Sequence, residues 1–417
     1  MTNFYPLYID PGTGSMLFSI LIGAAATLYF LFRALIIKFK LIASGGGGRV
    51  KTASGYPFVI YNEGKQYCNV FKPVLDIFEK RAVELLYLTS VQDDPVFEAG
   101  YKFVKSEFIG EGNKAFMRLN FISADIVLMT TPGLNVYQLK RSKSVKHYAH
   151  ILHAPSDATM YRLFGIDYYD SILLTGDYQA GDIRVLEKLR ELPEKQLVTV
   201  GCTYLDVFAE KIKTIQAEEN HPFTVLVSPS WGPSALLSRY GEKLLTPLVN
   251  TGWRIIVRPH PQSKTSEKAV LDALTANFKD AKNLEWDYER ENIYSLAKAD
   301  IMISDFSGII FDYAFLFDKP VMFVRQHIDL RPYDADDLDD ETKRNLWQFK
   351  TADEIGIELK EEFFDTIGDV IKNTADSAEL REAREKARDT AWQFRGEAGA
   401  RIVDFMLSCR GKIAVGS

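Results

Sequence analysis

Apolar residues along this chain fall into short runs that alternate with stretches of helical periodicity. From Tyr56 onward the runs 57–61, 83–88, 126–130, 147–152, 171–175 and 197–200 each read as a buried strand. A charged helical stretch, 208–220, marks a break, and a second series follows: strand 223–227, helix 235–249, strand 253–257, helix 264–278, strand 283–286 and helix 293–297. An apolar strand ending at Ile303, a small polar loop, a helix and the strand 321–324 complete it. Strands apolar on both sides, each followed by a helix, predict parallel sheets covered on both faces. The expected fold class is therefore α/β, with two Rossmann-like domains at 56–207 and 222–379. A last helix within 380–417, centred on 380–407, is expected to pack back on the body.

The first 55 residues follow another pattern. From Met16 to about Ile37 the chain is almost uninterrupted apolar sequence, long enough to cross a bilayer. This predicts a tail at 1–15, a transmembrane anchor at 16–38 and a flexible linker at 39–55, whose Ser44 to Gly48 lacks any hydrophobic periodicity. Arg33, Lys38, Lys40, Arg49 and Lys51 follow the apolar run and nothing basic precedes it, so the expected location is the cytoplasmic membrane, single-pass, with the catalytic body cytoplasmic. A monotopic hairpin in one leaflet is the alternative.

At 417 residues and 47.3 kDa, with 47% hydrophobic and 25% charged residues, the chain is too long for one ordinary core and too apolar for disorder. A net charge of -6 without a basic stripe argues against nucleic acid as a partner. Cys68, Cys202 and Cys409 are too widely spaced for a zinc site or a disulfide framework. His147, His150 and His153 cluster on one predicted strand, where the alternation of faces disfavours a three-His metal site. No metal and no cofactor are expected. The acidic stretch 329–343 reads as a solvated loop over a cleft mouth.

Two strand ends carry candidate chemistry. Ser304-Asp305-Phe306-Ser307-Gly308 follows a buried strand and opens a helix, which aims free backbone N–H groups and the helix dipole at one spot suited to phosphate. Ser and Asp are also favoured helix caps. Upstream, Arg258-Pro259-His260-Pro261 ends another strand, its prolines fixing a loop that presents a permanent cation and a titratable ring. Ser228, Ser230 and Gly232, at the end of the first strand of the second domain, face the same crevice. Trp231 between them offers a flat surface to a base or an acceptor, or plugs the domain interface.

Arg-Pro-His-Pro followed by Ser-Asp-Phe-Ser-Gly-x-x-Phe-Asp-Tyr resembles the CDP-glycerol glycerophosphotransferases of teichoic acid and capsule synthesis. The resemblance is strong from about 223 to 324, architectural from 56 to 206 and absent before that. It implies a GT-B fold and a CDP-alcohol donor, for which the strand-end residues Arg258, Ser228, Ser230, Gly232, Ser304, Asp305, Ser307 and Gly308 are the expected holders, with His260 as the cation on the diphosphate and Asp312 either orienting the loop or meeting a donor hydroxyl. It further implies that His153 is the general base for the acceptor hydroxyl, although Ala154-Pro155 stand here where family members usually carry Gly-Thr-Pro. The expected reaction moves glycerol phosphate from CDP-glycerol to a lipid-linked or glycan acceptor, releasing CMP. A GT-B glycosyltransferase using a nucleotide sugar and an inactive nucleotide-binding scaffold are the alternatives.

Overall fold

The computed structural model describes residues 55–415, apart from 217, 220, 290, 326 and 327, together with Leu28, Tyr29 and Phe32. Tyr56 onward forms one unit. It holds two sheets. The first comprises β1 (Tyr56–Asn62), β2 (Leu85–Thr89), β3 (Val104–Phe108), β4 (Ala124–Met129), β5 (Val145–Ile151), β6 (Ser171–Leu174) and β7 (Gln196–Thr199), in the order β3-β2-β1-β4-β5-β6-β7. The second comprises β8 (Thr224–Val227), β9 (Arg254–Val257), β10 (Leu284–Trp286), β11 (Ile301–Ser304), β12 (Val321–Phe323) and β13 (Gly356–Glu358), in the order β10-β9-β8-β11-β12-β13. Every neighbouring pair runs parallel; Val59, for example, faces Leu86 on one side and Val127 on the other.

The alternation of side chains explains why these strands read as continuous apolar runs. Phe58 and Ile60 pack beneath the helices Cys68–Lys80 and Ala398–Val415, while Val59 and Tyr61 join a separate cluster on the opposite face. The second sheet repeats the scheme, with Leu226, Ile256 and Met302 on one face and Val225, Ile255 and Ile303 on the other. Both sheets reverse direction of growth once, between β1 and β4 and between β8 and β11. At such a reversal the loops leaving the carboxyl ends of the two strands diverge and leave a crevice.

Three expectations need correction. Among the described residues no helix is long and apolar enough to cross a membrane, which overturns the single-pass membrane location. The longest of them, Ala398–Val415, carries Arg401, Asp404, Arg410 and Lys412, whereas a span needs about 20 mostly apolar residues. The run 16–38 that suggested an anchor, with its tail and linker, lies outside the described residues save for Leu28, Tyr29 and Phe32.

The C-terminal helix is also not continuous. It forms two helices, Ala378–Ala391 and Ala398–Val415, broken where Phe394 and Gly396 take φ of 52° and 79°. Asp206 holds the break, accepting from Trp392 Nε1 at 2.8 Å, the Gly396 amide at 2.8 Å and the Ala398 amide at 3.2 Å. The first helix of the pair packs into the core of the second sheet and the other into that of the first.

Finally, the acidic stretch 329–343 is not simply solvated. Asp334 and Ala335 are wholly buried, and Asp334 pairs with Arg190. A carboxylate with a buried guanidinium partner can leave water where an unpaired one cannot.

Candidate active site

The donor-side motifs meet at the reversal point of the second sheet. Asp305, nearly fully buried, accepts the Ser230 amide on Oδ1 and the Leu236 amide on Oδ2, both at 2.9 Å. Ser304, also buried, donates its hydroxyl to the Ser228 carbonyl at 2.6 Å. These two side chains brace the loop after β8 against the loop after β11. Gly232 within that loop has φ of 103°, a left-handed conformation that disfavours any side chain. Burial pushes the Asp305 carboxyl above its ordinary range, while the two amides pull it back.

Downstream of the brace, Ser307 and the exposed Gly308 open the helix Ile309–Phe317. The Ser307 and Gly308 carbonyls accept from the Ile310 and Phe311 amides, and the Ser307 hydroxyl approaches the Ile309 amide at 3.4 Å. The amides of Gly308 and Ile309 precede the helix's own hydrogen-bond ladder. An anion is their natural partner.

His260 reaches the same place from β9. Its ring lies 6.3 Å from that of Trp231, with the planes 31° apart, and Trp231 is half exposed. The Gln262 amide donates to His260 Nδ1 at 3.1 Å, so the neutral ring carries its proton on Nε2. Burial lowers the His260 pKa, against the pull of Glu267 and Asp305. The sequence suggested a cation here; burial makes the charged form of the ring harder to hold in the free protein.

Arg258 behaves differently from its neighbour. It is buried, its guanidinium paired with Asp287 and donating to the Glu289 carbonyl at 2.7 Å. Desolvation raises Asp287, but bonds from the Ser295 hydroxyl, the Glu289 amide and Arg258 hold its carboxyl below the ordinary range. The positive charge expected beside the crevice is thus largely committed to the loop after β10.

His153 follows β5 in the first sheet. Its Nδ1 lies 2.9 Å from the Thr130 hydroxyl and 3.0 Å from the Tyr161 hydroxyl, and the Tyr67 ring packs edge-on at 4.9 Å. Burial lowers its pKa to about 4. The other histidines of the cluster have other surroundings. His147 Nε2 meets the Ser171 hydroxyl at 2.8 Å, and His150 is buried between the Tyr161 and Tyr169 rings.

One turn connects the two halves. Cys202 donates its thiol to the His153 carbonyl at 3.8 Å, and Tyr204, two residues on, donates its hydroxyl to Asp312 Oδ2 at 3.1 Å. Asp312 sits one turn into the helix that follows the Ser307-Gly308 loop, and burial pushes its carboxyl up to about 7. Thr130, Tyr161, Tyr67 and Tyr204 escaped sequence reasoning. Each lies in a loop or at an element end, where no periodicity marks it.

Residues 235–408 match the model of the CDP-Glycerol:Poly(glycerophosphate) glycerophosphotransferase family. That span holds Arg258, His260 and the 304–312 segment; Ser228, Ser230, Gly232 and His153 lie before it. No curated protein sequence matches the chain. Among solved structures it is similar to the wall teichoic acid polymerase TagF, at 14% identity and a TM-score of 0.52, over 86% of this chain and 90% of that one. A TagF variant soaked with CDPG gives 14% identity and a TM-score of 0.54, over 86% and 89%. The UDP-GlcNAc 2-epimerase from Methanocaldococcus jannaschii gives 12% identity and a TM-score of 0.54, over 84% and 99%. At such identities the likeness establishes the GT-B-like fold of two parallel-sheet domains. Residues 235–408, less than half of the chain, thus match the CDP-glycerol glycerophosphotransferase family, and the chain is CDP-glycerol glycerophosphotransferase-like.

Proposed function

We propose that the protein transfers glycerol phosphate from CDP-glycerol to a hydroxyl of a glycan or lipid-linked glycan and releases CMP. The observation that carries this reading is the family match over the segment in which His260 and the Ser307-Gly308 loop stand at the ends of the two strands that flank β8. The diphosphate sits on the Gly308 and Ile309 amides, the Ser307 hydroxyl and His260 Nε2–H. Ser304, Asp305, Ser228, Ser230 and Gly232 give the loop its shape, Arg258 fixes the loop after β10, and Asp312 anchors the donor helix to Tyr204.

His153 Nε2 takes the proton of the acceptor hydroxyl as its oxygen attacks the β-phosphorus. The new O–P bond forms as the bond to the bridging oxygen breaks, and CMP departs with that electron pair. Preorganised N–H donors stabilise the charge gathering on the diphosphate. A base with a pKa near 4 is unprotonated at neutral pH but weak; the negative charge of a bound donor raises it toward the working range.

The test is calorimetric titration of the full chain with CDP-glycerol, CDP-ribitol, UDP-glucose and GDP-mannose, repeated on His260→Ala. Binding confined to the CDP compounds and weakened in the variant is the expected result. Preference for UDP-glucose or GDP-mannose would replace this reading with nucleotide-sugar transfer, and binding of none would overturn both.

A further inference from the structure

The connection between β12 and β13 belongs to the second sheet, yet part of it is hydrogen-bonded to the segment that follows His153. The Asp334 amide donates to the Tyr161 carbonyl at 2.8 Å, and the Leu163 amide to the Pro332 carbonyl at 3.1 Å. Arg162 and Tyr333 form an antiparallel bridge between these bonds. Asp334 Oδ1 then accepts the Phe164 amide at 2.6 Å. Residues 161–164 and 332–334 are therefore clasped backbone to backbone.

Arg190 locks the clasp. Its guanidinium, almost inaccessible to solvent, reaches Asp167 at 2.7 Å, Asp334 at 2.7 Å and Asp337 at 2.6 Å, and lies over the Phe164 ring at 4.7 Å. Three carboxylates converge on one planar fork, the arrangement for which arginine is suited. Tyr161, at the end of the clasped segment, is the residue whose hydroxyl meets His153 Nδ1.

A histidine acts as a base through the nitrogen that lacks the proton, and the hydrogen bond at the other nitrogen decides which one that is. We propose that Tyr161, set in place by the 332–334 clasp and Arg190, is a positioning residue whose hydroxyl oxygen accepts from His153 Nδ1–H, which keeps the proton on Nδ1 and leaves Nε2 free as the base. The donor-side domain thereby governs the readiness of the acceptor-side base, through a route separate from the nucleotide. The inference rests on the assignment of His153 as base. Thr130 also borders Nδ1, at 2.9 Å, and is the competing partner.

The experiment reads the tautomer directly. Histidine labelled isotopically at its ring nitrogens is incorporated into the full chain, which has six histidines, and the His153 signal is assigned from its loss in His153→Ala. The expected wild-type signal is the Nδ1–H form, with Tyr161→Phe shifting the population toward Nε2–H. Arg190→Lys, which keeps the charge but not the fork, shifts it the same way by a smaller amount. In turnover, Tyr161→Phe lowers kcat about ten-fold with the donor KM unchanged. An Nε2–H form in the wild type overturns the proposal. So does an unchanged tautomer in Tyr161→Phe, above all if Thr130→Val shifts it instead. Full turnover by His153→Ala would remove the base assignment itself, a result distinct from any tautomer outcome.

Discussion

The Tyr204 hydroxyl donates to Asp312 Oδ2 at 3.1 Å and ties the start of the helix Thr203–Ile212 to the helix behind the donor loop. Burial raises the Asp312 pKa from 3.8 to about 7, partly offset by Tyr204. As pH rises from about 4 to 7 the unfolded chain loses this proton while the folded chain keeps it. The stabilisation associated with the protonated form is thus full below the unfolded pKa and gone above pH 7. Asp312→Asn abolishes that dependence. Its stability relative to wild type should rise by on the order of 2–4 kcal/mol between about pH 4 and pH 8. Denaturant midpoints at the two pH values check this, and parallel pH dependences in the two proteins would count against it.

Asp305 satisfies two buried amides at once. Asp305→Ala strands both donors and removes the brace between the loops after β8 and β11, so a loss of about 2–4 kcal/mol is expected. Ser307→Ala, at a position with only a long contact to the Ile309 amide, should change stability by less than about 0.5 kcal/mol. It should still weaken CDP-glycerol binding. Equal destabilisation by the two substitutions would contradict this division of labour.

Trp231 is an exposed aromatic lying against His260. Burial of its ring by a donor is the simplest use of such a surface. Trp231→Ala is expected to raise the CDP-glycerol dissociation constant about ten-fold, an aromatic contact being worth roughly 0.5–1.5 kcal/mol beyond its buried area. The melting temperature should stay near that of the wild type. A lower melting temperature with unchanged donor affinity would make Trp231 a structural plug.

The strands were legible because burial on both faces leaves no polar alternation to obscure them, as in Ile255-Ile256-Val257 or Ile301-Met302-Ile303. Val104–Phe108 escaped because it is an edge strand carrying Lys105 and Glu107. The Ser304-Asp305-Phe306-Ser307-Gly308 and Arg258-Pro259-His260-Pro261 motifs were legible because loop, helix start and proline are local features. What each side chain touches was not. Asp305 looks like any helix-capping acid until Ser230, 75 residues earlier, is placed beside it. Asp334 reads as one more surface carboxylate until Arg190, 144 residues earlier, supplies its partner. Tyr161 has no sequence signal at all, since its role depends on the clasp.

His153 and His260 should separate cleanly by experiment, because one lies at the end of β5 and the other beyond β9. In the proposed mechanism His153→Ala removes the base but none of the donor-side groups, so CDP-glycerol binding should remain within two-fold while kcat falls by roughly 10²–10⁴-fold. In the same mechanism His260→Ala removes a donor to the diphosphate, so both binding and turnover should fall. The pH profile adds a sign. Burial disfavours the charged form of His153 and lowers its pKa to about 4 in the free enzyme. The acid limb of kcat/KM for the donor should therefore lie well below the ordinary histidine range, and that of kcat should lie higher, because the bound diphosphate favours the imidazolium. An acid limb near 6.5 in both would mean that His153 is not the group that limits the rate.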